Sequence, residues 1–584
     1  MDLEANGPLM AADDEGVSDP MPRPRQDSDR AVAWRLFGLL FLVFGLLSQG
    51  HIVNTDAEVE FQSARSLWLR GSPGLSDKHA DASLAETWIA SNAASGNKLP
   101  AVVEGLDGDY YTWFGIGHTL TMAPFYAVGR ELGKLFASTE DALGRSFAAD
   151  PQGIGAAMGD EFFARLAVSF HAPLFGALTG VVLFLLLGWF GFSTRHRIIA
   201  VLLAASTTQF GPGTKECMSN VVDGCFLLLA VERALAWSRN GKHVALLAAG
   251  IAAGFAVLCR NAHAVTVIGL FVYVAWIAWR RSRIVDLRWF IAGGALFAVF
   301  LLWFNYARFG SVTKTGYHTL TNYWSFNPLF GFPLLALSPG KGMLWFSPLL
   351  WLVPLGLRRL GAPRADMLLL VWVLASAWVL NSFTSGWHSS QAWGCRYLTT
   401  GVVLLVAVTV ASLLRAGGGS GKRLRLLVVV ATLGGLVTLG GWLAPYRGYY
   451  ELGHRAIAAK WPQVPVEHHI QYLVSEPRMT PIFGHWAYAW LSLDGAIPDG
   501  PSEVVHGLMF GRSEQLETRI TWPEDTGFRH VWPIGLWRRL DSSMPLVIAG
   551  LLAGLAALLA FSVAAAARAP RMSDPESSHP RSST

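Results

Sequence analysis

Charge is what this chain has least of. Only 15% of its 584 residues are Asp, Glu, Lys or Arg, against 52% that are hydrophobic, and the mean hydropathy is +0.36. That balance excludes a soluble globule, because apolar runs long enough to cross a bilayer recur along most of the sequence. Cysteine is scarce as well. The 4 cysteines, Cys217, Cys225, Cys259 and Cys395, show no CxxC or other metal-ligand spacing. They read as small buried thiols, with a disulfide near the outer face as the alternative. An internal repeat is not visible, which weakens a transporter built from inverted halves. No small-residue cleavage site follows the first apolar run, so no cleavable signal is expected. The net charge of +5 does not point to nucleic acid. Basic residues stand in short loops between apolar runs, where a membrane protein records its orientation.

What is present reads as an all-α, polytopic integral membrane protein. About twelve spanning helices are expected, near 31–50, 161–190, 197–211, 219–238, 243–258, 262–279, 287–306, 343–357, 365–383, 397–415, 424–444 and 544–567. One stretch, 111–136, decides the topology. It is long enough to span but contains His118, Pro124, Arg130, Glu131 and Lys134. If it spans, the basic loops at Arg195/Arg197, Arg239/Lys242 and Arg280/Arg281/Arg283 fall outside. If it does not, all fall inside, as the positive-inside rule requires. It is therefore read as re-entrant or interfacial. Both termini are then cytoplasmic, and the expected location is the bacterial inner membrane. The expected organisation is a disordered tail over 1–30 and a transmembrane module over 31–444. A long first outer loop, 51–160, carries juxtamembrane helices. An outer segment (445–543), a last helix (544–567) and a second disordered tail (568–584) follow. The Gly-rich run 416–421 reads as an inner linker.

The scarce charges are unevenly placed. Asn54-Thr55-Asp56-Ala57-Glu58-Val59-Glu60 follows the first apolar run, so three carboxylates stand where a helix meets water. Carboxylates at that depth mark a site or open an ordinary polar loop. Lys215 and Glu216 occupy the short second outer loop, and Arg260 with Asn261 interrupts an apolar stretch of about forty residues, twice what one helix needs. Arg308, Lys314, Tyr317 and His318 follow the seventh helix. Lys341 sits in Ser338-Pro339-Gly340-Lys341-Gly342, and Trp387, His388 and Arg396 lie before the tenth. Each has a plain alternative. Glu58 and Glu60 also read as solvated loop residues, and Glu216 as a partner of Lys215 or a cap. Arg260 reads as a turn, Lys314 and His318 as interfacial surface, Lys341 as a snorkelling lysine and Trp387 as an aromatic-belt residue. Taken together, carboxylates offer a general base or metal ligands, and cations offer a phosphate site at the depth of a lipid headgroup. Asp223 and Glu232, within a helix, are the main exceptions to this one-sided placement.

At these residues the chain resembles the GT-C superfamily of polytopic membrane glycosyltransferases, which use polyprenyl-phosphate sugar donors. It is similar to the bacterial branch related to protein O-mannosyltransferases and lipid A aminoarabinose transferases. The matching features are Asp56-Ala57-Glu58, Tyr110 to His118 leading to Ala123-Pro124-Phe125-Tyr126, and Asn305 to Ser311 with Thr315-Gly316-Tyr317. Leu337 to Gly342 with Trp345 to Pro348, and Trp393 to Leu398, complete the set. The resemblance covers roughly 31–415 and rests on the order of the motifs. It implies an inverting transfer from a polyprenyl-phosphate-linked sugar to a lipid, glycan or protein acceptor. Asp56 would be the base or help to hold a metal, with Glu58 beside it and Glu216 assisting. Lys215, Arg260, Arg308, Lys314, Tyr317, His318, Lys341, Trp387, His388 and Arg396 would contact substrate. Any cofactor is left open, a divalent metal included. The second loop departs from the pattern in carrying Lys-Glu where relatives often have Asp. A transporter or lipid flippase is the competing class, and it needs polar residues near midplane on several helices.

Overall fold

A computed structural model describes residues 26–443 except 53, 97–100, 149–160, 321–322, 390–391 and 416–420, together with parts of 444–486, a short piece at 532–536 and residues 542–568. The expected tails over 1–25 and 569–584, the linker at 416–420 and most of the 445–543 segment lie outside the described residues.

The chain forms a helical bundle. Helix α1 (Gln26–Leu46) begins inside what was expected to be the tail. A surface layer follows: α2 (Thr55–Arg70), α3 (Leu84–Ala94), a two-stranded antiparallel ribbon β1 (Val102–Glu104) and β2 (Tyr110–Thr112), α4 (Ile116–Leu135) and α5 (Ala137–Ala148). The bundle then continues through α6 (Phe162–Ser169), α7 (His171–Gly188), α8 (Thr194–Ser206), α9 (Ser219–Asn240), α10 (His243–Cys259), α11 (His263–Arg280) and α12 (Leu287–Phe309). After α13 (Pro328–Leu337) come α14 (Arg364–Ser382), α15 (Thr399–Arg415), α16 (Gly421–Leu443), a short α17 (His469–Ser475) and α18 (Met544–Arg568). The all-α expectation thus holds apart from one three-residue ribbon.

Each region expected to span is helical over most of its length, but the count of twelve is not confirmed. Among the described residues, seven helical stretches are both long and apolar enough to cross a membrane. Helix α10, with 17 residues, is about 25 Å long at 1.5 Å per residue, short of a hydrocarbon core of about 30 Å. The 343–357 region breaks into three short turns, because Pro348 and Pro354 cannot donate to the helical ladder and Ser347 takes an extended-side φ of −144°. Helix α13 was not expected. It packs on α14 with Phe332 stacked on Trp378 at 4.1 Å.

Apolar patterning explains the layering. Helix α15 is apolar all round and nearly every residue is buried, so it is the central helix. Helix α18 is equally apolar but largely exposed, packing mainly on α1 and α8, as suits a helix that faces lipid.

Helix α4 lies close against its neighbours at two glycines. A Cβ on Gly115, at its start, would meet the carbonyl oxygen of Leu258 at the end of α10; one on Gly129 would meet that of Phe163 at the start of α6. Helix α4 packs chiefly on α6 and α2.

Helices α9, α10 and α12 form a tightly packed wall. Gly250 and Gly293 let α10 and α12 touch backbone to backbone: an added Cβ would stand 2.1 Å from the Phe290 oxygen and 2.3 Å from the Leu247 oxygen. This is the small-residue packing of membrane helices. Gly250→Val should destabilise the protein by about 1–3 kcal/mol or more, the cost of overpacking a close seam. Gly554→Val, on α18 with nothing within 4 Å of its Cβ position, should leave stability unchanged. Thermal unfolding in detergent compares the two.

Candidate active site

The acidic stretch is not a loop. Asn54 has extended geometry and its Oδ1 accepts a hydrogen bond from the Ala57 amide at 2.8 Å, so it is the N-cap of α2. Asp56 and Glu58 fall in the first turn, where the helix dipole favours negative charge. Helical spacing then sorts the three carboxylates. Asp56 and Glu60 are four residues apart and share a face, and both line a cavity of about 330 Å³. Glu58 turns elsewhere. Its carboxylate takes a bidentate ion pair from buried Arg165, with one Nη2–Oε1 distance of 2.9 Å, and accepts from Gln62 at 2.9 Å. It does not line the cavity.

Cations supply the opposite wall. Arg396, just before α15, donates through Nη2 to Asp56 Oδ2 at 2.8 Å, and its Nη1 lies 2.6 Å from the Met218 sulfur. Arg260 ends α10, where the chain turns extended. Its guanidinium lies over the Tyr397 ring at 4.2 Å and stands 3.8 Å from Asp223, which also faces His263 at 3.3 Å. Asp223 is therefore the buried counter-ion at the base of this wall, one turn inside α9. Glu60 lies 2.8 Å from His118 of α4, and its other oxygen has no hydrogen-bond partner. Tyr317 completes the lining among the expected residues, with its phenol pushed up by burial. Among the described residues no three His, Cys, Asp or Glu side chains group to hold a metal.

The other expected residues lie outside the cavity lining. Lys215 is buried and its Nζ donates to the carbonyls of Gly441 and Ala444 (2.8 Å to the latter), capping the C-terminus of α16. Glu216 is buried beside it. Burial pushes its carboxyl up, opposed by Lys215, Arg396 and Lys341. Lys341 is fully buried. It donates to the Ala392 carbonyl and lies over the Tyr446 ring at 4.2 Å. Burial pushes its amine down to about 7, and only Arg260 and Arg396 of the three expected phosphate cations reach the cavity. His388 is pushed down to about 3 by burial and by Lys341 and Arg396, so it is neutral at ordinary pH. Trp387 packs inside against Phe326. Arg308 bonds Asn305 and Thr112 and lies over Phe304, so it anchors the ribbon rather than a ligand. Lys314 is exposed, as is His318, whose ring abuts Phe309. Of the two readings open for Glu60, a site carboxylate and a solvated loop residue, the cavity lining matches the first, and Asn220 joins it. The i, i+4 spacing from Asp56 was the signal for Glu60; nothing in the sequence marked Asn220.

Residues 157–304 match the family model of dolichyl-phosphate-mannose-protein mannosyltransferases, a stretch that carries Lys215, Glu216, Asp223 and Arg260. No curated protein matches the chain in sequence. Among solved structures, ArnT from Cupriavidus metallidurans bound to undecaprenyl phosphate shares 15% identity over 83% of this chain and 77% of its own, with a TM-score of 0.42. Its apo state gives 14% identity, 92% and 76% coverage and 0.41. An apo oligosaccharyltransferase from Archaeoglobus fulgidus gives 12% identity, 79% and 63% coverage and 0.37. The chain is similar to GT-C glycosyltransferases, as its motifs implied.

The Glu58–Arg165 pair separates scaffold from site. Removing one partner of a buried ion pair costs about 3–5 kcal/mol, because the other charge is left uncompensated. Glu58→Ala should therefore lower the unfolding temperature sharply, and adding Arg165→Met should restore part of it. Unfolding of the two variants in detergent measures the difference.

Proposed function

We propose that this chain is a membrane glycosyltransferase that moves a sugar from a polyprenyl-phosphate donor to an acceptor on the outer face of the bacterial inner membrane. The observation that carries the reading is the Asp56–Arg396 pair at the cavity wall, a carboxylate and a guanidinium 2.8 Å apart, with Arg260 and Glu60 lining the same space. Group transfer from a lipid phosphate needs a base beside an anion site, and this cavity provides both.

The chemistry is a single displacement. The acceptor's nucleophilic atom forms a bond to the anomeric carbon as the bond from that carbon to the phosphate oxygen breaks. Asp56 takes the acceptor's proton. The electron pair leaves with the polyprenyl phosphate, whose charge is held by Arg260 and Arg396. Inversion follows from one displacement. Should a divalent cation accompany the donor, Asp56 and Glu60 are the carboxylates that would hold it, and it would add positive charge at the phosphate. The family match supports glycosyl transfer, and ArnT, solved with undecaprenyl phosphate, gives the donor type its precedent. Asp223, one turn inside α9, pairs with Arg260 and His263, and Glu232 meets a different set, Trp189 and Arg233. That arrangement favours transfer over transport.

Asp56→Asn keeps the shape but cannot accept a proton. It should lower transfer from a polyprenyl-phosphate sugar about a hundred- to ten-thousand-fold while leaving the fold intact, as read in a single-turnover assay with purified protein. Near-wild-type transfer would end the assignment of Asp56 as base. For the outer face, Ala142→Cys and Arg195→Cys should label from opposite sides of the membrane with an impermeant thiol reagent. The natural cysteines are buried and give little background. Labelling of both from one side would reject the orientation.

A further inference from the structure

The proposed reaction uses the charged part of the cavity and leaves its neutral part unexplained. Asn220, at the start of α9, and Asn261, in the turn between α10 and α11, both line the cavity. Each has a buried amide oxygen with no hydrogen-bond partner, and Asn220 is only 6% exposed. A buried carbonyl left without a partner is costly, so these two oxygens mark a place that a ligand completes. Ser219, Thr315 and Thr384 stand in the same lining.

The kind of ligand follows from hydrogen-bond inventory. A side-chain amide offers both an acceptor and donors, and so does a hydroxyl; an ammonium only donates and a carboxylate only accepts. An ammonium would also want a carboxylate to itself. Each one near the cavity is already shared with a basic side chain, Asp56 with Arg396, Glu60 through one oxygen with His118, and Asp223 with Arg260 and His263, and the second oxygen of Glu60 stays open to a hydroxyl donor. We propose that Asn220 and Asn261 form a hydroxyl-reading subsite that selects an uncharged, polyhydroxylated sugar on the donor. This rests on the glycosyl-transfer reading, and it adds the residues that set sugar choice.

The test is binding of three probes to the full-length protein in detergent, by titration calorimetry: bare polyprenyl phosphate, the same lipid carrying a neutral hexose, and the same lipid carrying an amino sugar. The wild type should bind the hexosyl lipid more tightly than the other two. Asn220→Ala and Asn261→Ala should each weaken hexosyl-lipid binding about tenfold and leave bare-lipid binding unchanged. Asn220→Asp keeps an acceptor and adds a charge, so it should move preference toward the amino sugar. Unfolding temperatures confirm that each variant is folded, and the Asn261 variant carries the test if Asn220→Ala does not fold. Equal weakening of bare and hexosyl lipid would overturn the subsite, as would a wild type that prefers the amino sugar or binds bare and hexosyl lipid alike. Failure of the wild type to bind even the bare lipid phosphate would instead sink the donor assignment beneath it.

Discussion

The ion pair between Asp56 and Arg396 joins positions 340 residues apart, and much of the architecture can be read as what holds its two ends in place. Asp56 is fixed because it sits in the first turn of α2, behind the Asn54 cap. Arg396 is fixed because it precedes α15, the most deeply buried helix of the bundle. The Arg396 side chain is 12% exposed and that of Asp56 32%. Together they are affordable there, since each meets the other's desolvation cost with a direct hydrogen bond. The surface layer and the core thus meet through a pair of charges rather than through grease alone.

The same rule sorts the remaining buried charges. Glu58 has Arg165, Asp223 has Arg260 and His263, and Asp366 has Arg239. Lys215 is satisfied by carbonyls at a helix end rather than by an acid. Charge is rare in this chain, and several of its buried charges meet an opposite charge or backbone carbonyls, while Arg308 meets only carbonyls and Asn305. What distinguishes the cavity is therefore not the presence of charge but its exposure to a space large enough for a ligand.

Hydropathy and the placement of Lys and Arg made the helical bundle legible before any coordinates. Long apolar runs have few alternatives to helix. The site was less legible. Asp56, Arg260, Tyr317 and Arg396 could be picked out because charge or a family motif drew attention to them. Glu58 and Glu60 cannot be told apart from sequence while the stretch reads equally as a polar loop, because a loop has no faces. Once Asn54 caps a helix, a two-residue shift moves a carboxylate from the cavity to Arg165. Lys215 and Lys341 looked like anion ligands because sequence shows a charge but not the carbonyls around it. Asn220 gave no sign, since a neutral amide at a helix start is ordinary until its burial and its missing partner are seen.

The glycine seam between α10 and α12 has a mechanical consequence. Two helices in backbone contact shift as one body, because no side-chain layer lies between them to yield. Arg260 stands at the end of one and Arg308, the anchor of the ribbon, near the end of the other. That side of the cavity rim is stiff. The far side is made by Thr315, Tyr317, Tyr323 and Thr384, carried largely on chain between helices, where local opening is least costly. Compliance around the mouth is thus lopsided: a bulky ligand would displace the loop side while Arg260 kept its position against Asp223.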